Sequence, residues 1–260
     1  MPFELKEKKG INYFIIPSFE ETGIVRHGFS TKPLNFAVKK LEKRNEAVLS
    51  FKIFCEILGI DPENLVLSDQ IHGDEVYFAT EEDRGKGIFK ESDIKGKDAL
   101  ITDRKNVALV TFYADCVPLF FLDKERPAIG LAHSGWRGTV KRIGKKTVLK
   151  MMEHFRTKPE NLLVGIGPCI GKCCFEVDEP VIKVFERENF NWSDFSYYKG
   201  KDRWMVDLVL ANKIILFEAG VKEENIVESG YCTYCEENLL FSYRREKEKA
   251  GSLVAVLELR

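Results

Sequence analysis

One stretch of the chain, Val107–Gly138, has the sequence VALVTFYADCVPLFFLDKERPAIGLAHSGWRG. Its short apolar runs are bounded by turn residues, a pattern that predicts buried β-strands. The charged turn Asp123–Arg126 joins two of these runs, so their far ends are expected to lie side by side. Cys116 and His133 occupy those far ends. The stretch therefore predicts a thiol and an imidazole brought together by a rigid sheet, as in a metal site or a nucleophile with its base.

A further histidine lies at a junction between two predicted strands. His72 falls within Ser68–Gly73, beside a glycine. Such a junction is a poor position for a packing histidine and a favourable one for a functional residue. The glycines at 135 and 138 follow His133 and permit the close approach of a ligand. By contrast, His27 lies inside a predicted strand, where a hydrogen-bonded structural role is expected.

Composition narrows the class of protein. The chain has 260 residues, of which 44% are hydrophobic, enough for one large domain or two small ones. A net charge of -1 gives no reason to expect nucleic acid or an acidic membrane surface as a partner. No apolar run reaches the length of a membrane span, and the first ten residues lack an apolar signal core. We therefore expect a cytoplasmic protein whose seven cysteines are thiols, ligands or nucleophiles before disulfides.

Hydrophobic periodicity predicts the remaining elements. Helices are predicted at Lys43–Leu58, from Gly138 to about Phe155, from about Glu179 to Glu188 and at Met205–Ala219. Strands outside the opening stretch are predicted at Asn12–Ile16, Gly23–Phe29, Leu65–Leu67, Glu75–Ala79, Asp98–Thr102, Leu162–Ile166, Ile226–Ser229 and Ser252–Leu259. The segment Glu81–Lys97 is predicted to be a mobile loop that could cover a site, and Asn189–Lys201 to be a loop. This irregular alternation favours a single α/β or α+β domain with mixed sheets over residues 1–260.

Five motifs occur in order along the chain. They are QIHG at Gln70–Gly73, ADCVP at Ala114–Pro118, HSGWRG at His133–Gly138, GPCIG at Gly167–Gly171 and FSYRR at Phe241–Arg245. In these motifs the chain resembles the laccase-domain family, also called multicopper polyphenol oxidoreductases. The resemblance extends from about Arg26 to the C-terminus, and the ordered set is far more specific than any one motif. Members of this family are described as purine nucleoside phosphorylases with adenosine deaminase activity, and some as peptidoglycan-editing factors.

The resemblance implies a fold and a ligand set. The family fold is α+β with mixed sheets, and it has been likened to certain cysteine hydrolases. The two histidines and one cysteine that bind zinc in the family correspond to His72, His133 and Cys116. The chain departs from the family in its first amphipathic helix, where an Asn-Arg pair is replaced by Ser50-Phe51, and at Ser134, where alanine is commoner.

The chemistry of such a ligand set follows from general principles. A catalytic zinc site typically has three protein ligands and a fourth position for water or substrate, and zinc lowers the pKa of water to about 7. Hydrolytic attack on C6 of adenosine is a deamination. Phosphorolysis also needs phosphate beside the glycosidic carbon, and the forked guanidinium of Arg137 is suited to hold it. Gln70 could read a base edge, and Trp136 could stack on a purine, although burial of Trp136 in the core is an equally good prediction.

The sequence therefore predicts a zinc-dependent purine nucleoside phosphorylase with adenosine deaminase activity. Its substrates would be phosphate and adenosine, inosine or guanosine, with methylthioadenosine as a further candidate. Copper is not expected, because multicopper chemistry needs more histidine ligands than the four histidines of this chain provide. Two alternatives remain open. One is a cysteine hydrolase that edits a peptidoglycan precursor with a metal-free Cys116–His133 dyad, and the other is a non-enzymatic metal-binding or partner-binding protein.

The remaining cysteines contain one pair with the spacing of metal ligands. Cys232 and Cys235 form a Cys-x-x-Cys pair, and Cys169, Cys173 or Cys174 could complete a structural zinc site. Because no second pair with this spacing is present, the favoured interpretation is that these are buried or edge thiols.

Overall fold

The structure is a computed structural model that describes residues 2–38 and 43–260. Its strands are β1 (Glu4–Lys8), β2 (Ile11–Ile15), β3 (Val25–Ser30), β4 (Leu65–Leu67), β5 (Val76–Phe78), β6 (Ala99–Thr102), β7 (Ala108–Tyr113), β8 (Val117–Asp123), β9 (Ala128–Ser134), β10 (Leu163–Ile166), β11 (Glu176–Asp178), β12 (Ser196–Gly200), β13 (Arg203–Val206), β14 (Ile226–Glu228) and β15 (Leu253–Leu259). Its α-helices are α1 (Pro17–Glu20), α2 (Arg44–Leu58), α3 (Trp136–Val140), α4 (Ile143–Phe155), α5 (Glu179–Arg187), α6 (Leu208–Glu218) and α7 (Tyr243–Glu246). Within these residues, no helix has both the length and the apolarity needed to cross a membrane.

The described strands form three sheets. The first has the order β1-β2-β3-β15-β7-β4 and is antiparallel except where β4 pairs with β7. The second has the order β14-β10-β8-β9-β6-β5, with parallel pairs at each edge, β14 with β10 and β5 with β6. A third, antiparallel sheet has the order β11-β13-β12. The predicted α+β class with mixed sheets is confirmed.

The central strands of the two large sheets are buried on both faces. Successive side chains of a strand point to opposite faces of its sheet. In β8, Phe120 packs in the cluster between the sheets, whereas Phe121 packs in the cluster that includes residues of α4 and α6. In β7, Leu109 faces the other sheet, whereas Val110 packs with residues of α2. The result is four layers, helix–sheet–sheet–helix, which explains why these strands are almost continuously apolar in sequence.

The central hairpin of the second sheet is the one predicted from the opening stretch. Strands β8 and β9 pair antiparallel from Asp123 opposite Ala128 to Val117 opposite Ser134. The buried carboxylate of Asp123 accepts main-chain N–H groups of Glu125 and Arg126, both at 3.0 Å, and so closes the turn. The opposite end of the hairpin therefore brings Cys116, just before β8, beside the end of β9.

The single helix predicted after Gly138 is wrong. Helix α3 already begins at Trp136 and ends at Val140, and α4 starts at Ile143. Arg142 separates them in the left-handed conformation, with φ of 59°. Its guanidinium lies 4.0 Å from the centre of the Phe190 ring. No local sequence pattern predicts this tertiary contact.

In the last third of the chain, one predicted loop is wrong and one predicted helix is confirmed with a later start. The predicted loop Asn189–Lys201 contains β12, whose exposed tyrosines give no apolar alternation. The predicted helix Met205–Ala219 begins only at Leu208, because Asp207 caps it by accepting the N–H of Leu210 at 3.0 Å. The preceding residues belong to β13.

The predicted flap Glu81–Lys97 does not cover the site. Its main chain forms hydrogen bonds along β4. The N–H of Gly85 donates to the carbonyl of Leu65 at 2.8 Å, and the N–H of Leu67 donates to the carbonyl of Lys86 at 3.1 Å. Ile88 and Ile94 are buried in the core beneath it. The segment lies against the edge strand of the first sheet, so the flap prediction is wrong.

His27 has the structural role predicted for it. Its buried Nε2 accepts the main-chain N–H of Ile16 at 2.7 Å. Burial disfavours the charged imidazolium and lowers the pKa of His27 to about 4. The side chain is therefore a neutral acceptor in the core.

Candidate active site

Three residues singled out in the sequence form one cluster. The candidate ligand atoms of His72, Cys116 and His133 all lie within 4.8 Å of one another. The two imidazole rings have centroids 4.9 Å apart and are inclined at 76°. Cys116 and His133 come from the end of the β8–β9 hairpin, and His72 arrives on the β4–β5 loop with φ of 60°. Two imidazoles and one thiol thus converge on a single point.

Gly135 leaves room for this cluster. A Cβ atom at position 135 would lie 2.9 Å from Sγ of Cys116 and 3.0 Å from Cδ2 of His72. The first distance is shorter than real Cβ contacts and the second is tighter than most of them, so a side chain here would displace a candidate ligand. The glycines after His133 were expected to permit a close approach, and at Gly135 the groups that approach the backbone are Cys116 and His72.

Asp98 positions two of the three candidate ligands through hydrogen bonds, a role that the sequence did not predict. Its buried Oδ1 lies 2.8 Å from Nδ1 of His133. The same carboxylate accepts main-chain N–H groups of Ile71 at 3.1 Å, His72 at 2.9 Å and Gly73 at 2.7 Å. Nδ1 of His133 is thus occupied, which leaves its Nε2 for a metal or for the thiol. The one available signal was a lone aspartate entering the apolar strand Ala99–Thr102.

The cluster is electrostatically coupled. Burial alone would raise the pKa of the Cys116 thiol, but the charge of His133 and hydrogen bonds from His133 and His72 lower that pKa to about 6. Burial alone would likewise lower the pKa of His133, but the Cys116 thiolate and Asp98 raise it to about 9. For Asp98, hydrogen bonds from His133 and Gly73 outweigh burial and hold its pKa below the usual value. Without metal, these shifts favour a thiolate–imidazolium pair beside a carboxylate near neutral pH.

Alkylation of the metal-free protein should report this thiolate directly. The rate of iodoacetamide labelling at Cys116, followed by peptide mass spectrometry, should rise between about pH 5 and 7 and level off above, because its pKa is about 6. An ordinary thiol would show its rise near its pKa of 9.0. Labelling of the same Cys116 peptide in denaturant, where the fold no longer perturbs the thiol, provides the internal comparison. A Cys116 midpoint near 9 would contradict the coupling.

The cluster opens into a cavity of about 780 Å³, a volume typical of a small-molecule site. Apolar side chains form much of its wall: Phe36, Val38, Phe112, Trp136, Ile170, Phe175, Val177 and Val181. Among the described residues, both cationic and acidic side chains also line it: Arg137, Arg203, Arg244 and Lys247, and Asp115, Glu176 and Asp178. Arg203 lies 3.8 Å from Glu176 and 3.9 Å from Asp178. The cavity therefore combines a surface suited to a flat aromatic molecule with further cations, those of Arg137, Arg244 and Lys247, suited to an anion.

Two arginines of the predicted motifs lie in this wall. Arg137 is exposed in the first turn of α3, with its guanidinium 4.4 Å from the centre of the half-buried Trp136 ring. Arg244 donates to the carbonyl of Glu176 at 2.9 Å and lies 5.3 Å from the centre of the Phe175 ring. Both guanidiniums retain further N–H groups with which to bind an anion.

Gln70 lines the cavity, but its amide is engaged by β7. Its Oε1 accepts the N–H of Phe112 at 2.7 Å, and its Nε2 donates to the carbonyl of the same residue at 3.2 Å. In this geometry Gln70 positions the loop that carries His72. The helix in which the family's Asn-Arg pair is replaced contributes no residue to the wall, and Arg44 donates instead to the carbonyl of Ile88 at 3.4 Å.

Asp115 connects the cluster to the C-terminal motif. This residue precedes Cys116 and has φ of 94°. Its carboxylate accepts the Thr233 hydroxyl at 2.6 Å and the Arg244 N–H at 2.6 Å. Motifs far apart in the sequence are thereby fixed around one site.

The matching family profile, described as multi-copper polyphenol oxidoreductase laccase, covers residues 21–260. The chain belongs to this family. This laccase-domain chain is 33% identical over 237 residues to purine nucleoside phosphorylase YlmD of Bacillus subtilis (strain 168), covering 90% of this chain and 85% of that protein. It is 36% identical over 190 residues to adenosine deaminase RL5 of an unknown prokaryotic organism, covering 72% of each.

The solved structures of the laccase-domain family agree with the fold described above. The crystal structure of YlmD from Geobacillus stearothermophilus superimposes with a TM-score of 0.91 at 30% identity and covers all of both chains. The resemblance inferred from the five motifs is thus confirmed at the level of family and fold.

Proposed function

We propose that this protein is a zinc-dependent purine nucleoside phosphorylase that also deaminates adenosine. The observation that carries the proposal is the cluster of two imidazoles and one thiol in the wall of an apolar, arginine-lined cavity. The names of the relatives, a purine nucleoside phosphorylase and an adenosine deaminase, support the same two reactions.

The donor set fits zinc. Nitrogen and thiolate donors are those zinc prefers, and a three-residue set leaves an open position, as in catalytic sites. Asp98 orients His133 from behind, as carboxylates commonly do in such centres. Electron-transfer copper sites use a similar set with a weak axial Met or Gln. Among the residues that the structure describes, no methionine lines the cavity, and the amide of Gln70 is bonded to Phe112, which favours zinc.

Zinc, when bound, would supply a Lewis acid that lowers the pKa of water to about 7. In deamination, adenosine and water give inosine and ammonia. The apolar side chains that line the cavity would hold the purine, and Asp98 keeps the ring of His133 fixed. Polar groups that are fixed in advance, as Asp98 and His133 are here, need little reorganisation during the reaction, and such preorganisation is a major source of enzymatic rate enhancement.

Phosphorolysis would use the arginines of the same cavity. A phosphate oxygen forms a bond to C1′ while the bond from C1′ to the purine nitrogen breaks, and the purine leaves with the electron pair and takes up a proton. The transition state has oxocarbenium character, by analogy with glycoside hydrolysis. Arg137 and Arg244 would hold the phosphate, since a guanidinium can donate two parallel hydrogen bonds to it.

A second candidate function is a metal-free hydrolase in which the thiol of Cys116 is the nucleophile. Cys116, His133 and Asp98 have the order of nucleophile, base and orienting carboxylate, and the thiol pKa is lowered to about 6. A metal-free hydrolase acting on a cell-wall precursor would use this arrangement. The two functions differ in their dependence on metal.

Product analysis with adenosine tests the proposal. Without phosphate, the zinc-loaded enzyme should produce only inosine, and with phosphate it should also release free base and ribose 1-phosphate. Arg137→Lys should lower kcat/KM for phosphate by about 10- to 100-fold, because lysine cannot form the bidentate pair. Deamination in the absence of phosphate should change little.

Arg187→Lys is the matched control, because Arg187 is exposed on α5 and lies outside the cavity. It should leave both reactions unchanged. Equal loss of both reactions in Arg137→Lys would contradict a phosphate-specific role. No turnover of any purine nucleoside by the wild type would overturn the proposed function.

A further inference from the structure

A second group of potential metal ligands lies away from the histidines. The sulfur atoms of Cys173, Cys174, Cys232 and Cys235 all lie within 4.8 Å of one another. Sγ of Cys235 is 3.8 Å from that of Cys173 and 3.5 Å from that of Cys174. The sequence favoured separate buried or edge thiols, but the structure brings these four together. Cys169, the fifth candidate, is buried and is not part of the group.

Two of these sulfur–sulfur distances, 3.8 Å and 3.5 Å, are close to those of a tetrahedral thiolate site. With metal–sulfur bonds of about 2.3 Å, the sulfurs of a zinc tetrathiolate lie about 3.8 Å apart. A disulfide would require about 2.0 Å, and all seven cysteines are free thiols. Four mutually adjacent sulfurs complete a coordination shell, whereas a redox pair needs only two.

Two tight turns present the four sulfurs. In one, the carbonyl of Gly171 accepts the N–H of Cys174 at 2.9 Å, and in the other, the carbonyl of Cys232 accepts the N–H of Cys235 at 3.1 Å. The two turns are tied together because the N–H of Thr233 donates to the carbonyl of Cys169 at 2.9 Å. Each turn thus has a fixed backbone before any metal binds.

Gly171 closes the gap between these turns. Its N–H donates to Sγ of Cys232 at 3.2 Å, a bond that stabilises a thiolate. A Cβ atom at this position would lie 3.2 Å from Sγ of Cys173 and 3.2 Å from Cβ of Cys232, tighter than ordinary contact. The glycine therefore lets the backbone approach the sulfurs and donate to one of them.

We propose that Cys173, Cys174, Cys232 and Cys235 bind one zinc ion in a closed structural site, separate from the active site. With four thiolates the coordination shell is complete, so the site has no open position for substrate. Arg245 supports the Cys232–Cys235 turn from its other side, because it donates to the carbonyls of Thr233 at 2.8 Å and Tyr234 at 2.6 Å. Its guanidinium is also paired with Glu246, so its role here is to fix the backbone of the turn.

The site would fasten one wall of the catalytic cavity. Phe175 and Glu176, which line the cavity, directly follow the Cys173–Cys174 pair. Thr233, inside the other turn, donates to Asp115, which in turn holds the N–H of Arg244. A metal that joins the two turns therefore links residues about 60 positions apart and restrains that wall, much as a crosslink closes a loop.

Metal analysis of protein purified in reductant without chelator tests the site. The wild type should carry about two zinc ions per chain, one for each cluster, and Cys235→Ser and Cys116→Ala about one each. Cys55→Ala is the matched control, since Cys55 is a core thiol of α2 outside both clusters, and it should retain two. If the active site holds no metal, the wild type should carry one ion and Cys235→Ser none. The zinc contents of these variants therefore distinguish the absence of metal at one site from its absence at the other.

X-ray absorption of Cys116→Ala isolates the proposed site in a folded protein. The zinc in this variant should have four sulfur neighbours at about 2.3 Å and no nitrogen neighbour at about 2.0–2.1 Å. Iron as the bound metal, a nitrogen-containing shell, or a Cys116→Ala protein free of metal would each overturn the proposal. A disulfide among the four cysteines of the reduced wild type would do so as well.

Thermal unfolding measures the structural contribution. Cys235→Ser should lower Tm by about 5–10 °C relative to the wild type, as expected for loss of a link across a loop of this length. Should Cys235→Ser fail to fold, mercurial titration of Cys116→Ala tests the site instead, because this variant lacks the active-site zinc. It should release one zinc ion as the four cluster thiols are modified, and release of no metal would contradict the site.

Discussion

Replacing Cys116 with alanine should abolish phosphorolysis and adenosine deamination together. We expect kcat/KM to fall by about three orders of magnitude or more for both reactions, because the thiolate is the anionic member of the proposed ligand set. The active-site zinc should be lost as well. The variant should remain folded, since the change removes one sulfur at the edge of a preformed cavity.

Cys55→Ala provides the matched comparison for this variant. It deletes a thiol of similar size from the core, where burial raises the pKa of Cys55 to about 12 and makes the group unreactive. Both reactions should persist in this control. Retention of full activity by Cys116→Ala, with metal still bound, would contradict the ligand assignment.

Asp98→Asn should have the next largest effect. The carboxylate orients His133 and accepts three main-chain N–H groups of the His72 loop, whereas an asparagine must turn its NH2 group towards some of these donors. We expect zinc affinity to fall by about 10- to 100-fold and the protein to be destabilised by about 1–3 kcal/mol. Zinc titration with a competing chelator and urea unfolding measure the two effects.

The stability loss in Asp98→Asn should depend on pH. The pKa of Asp98 is lowered in the folded protein, so its contribution is fully present above its ordinary pKa of about 4. That contribution is lost as the pH falls through the lower, folded-state pKa, so the wild type and the variant should converge in acid. Asp74→Asn, in the same loop, removes a surface carboxylate paired with Lys141 and Lys146 and should cost less than about 1 kcal/mol. Equal losses in the two variants would contradict the role of Asp98.

The sequence was sufficient for the parts of the site that depend on local patterns. The hairpin between Cys116 and His133 could be predicted because apolar runs and a charged turn determine its register. Asp98 could not, because its role depends on β6 pairing with β9, which no local pattern specifies. Its carboxylate reaches both histidine-bearing segments only in the assembled sheet.

The four-cysteine group also depends on strand pairing that no local sequence pattern specifies. The turn at Cys232–Cys235 follows β14, and the segment with Cys173 follows β10. These two strands pair in parallel, which carries the two turns to the same edge of the sheet. Adjacent cysteines at 173 and 174 lack the usual ligand spacing, so the sequence alone favoured separate thiols, and only the folded chain brings the four sulfurs together. Strand β12 was missed for a related reason, since its outward tyrosines resemble a loop in composition.

The most direct test of the central claim is the formation of ribose 1-phosphate by chelator-stripped and zinc-reloaded enzyme. With adenosine or inosine and phosphate as substrates, and circular dichroism to verify folding, the stripped enzyme should form none and zinc should restore the activity. Alkylation of Cys116 in the stripped enzyme should prevent this restoration. Ribose 1-phosphate formed at the same rate by fully stripped, folded enzyme would contradict a zinc-dependent phosphorylase and would favour the metal-free thiol.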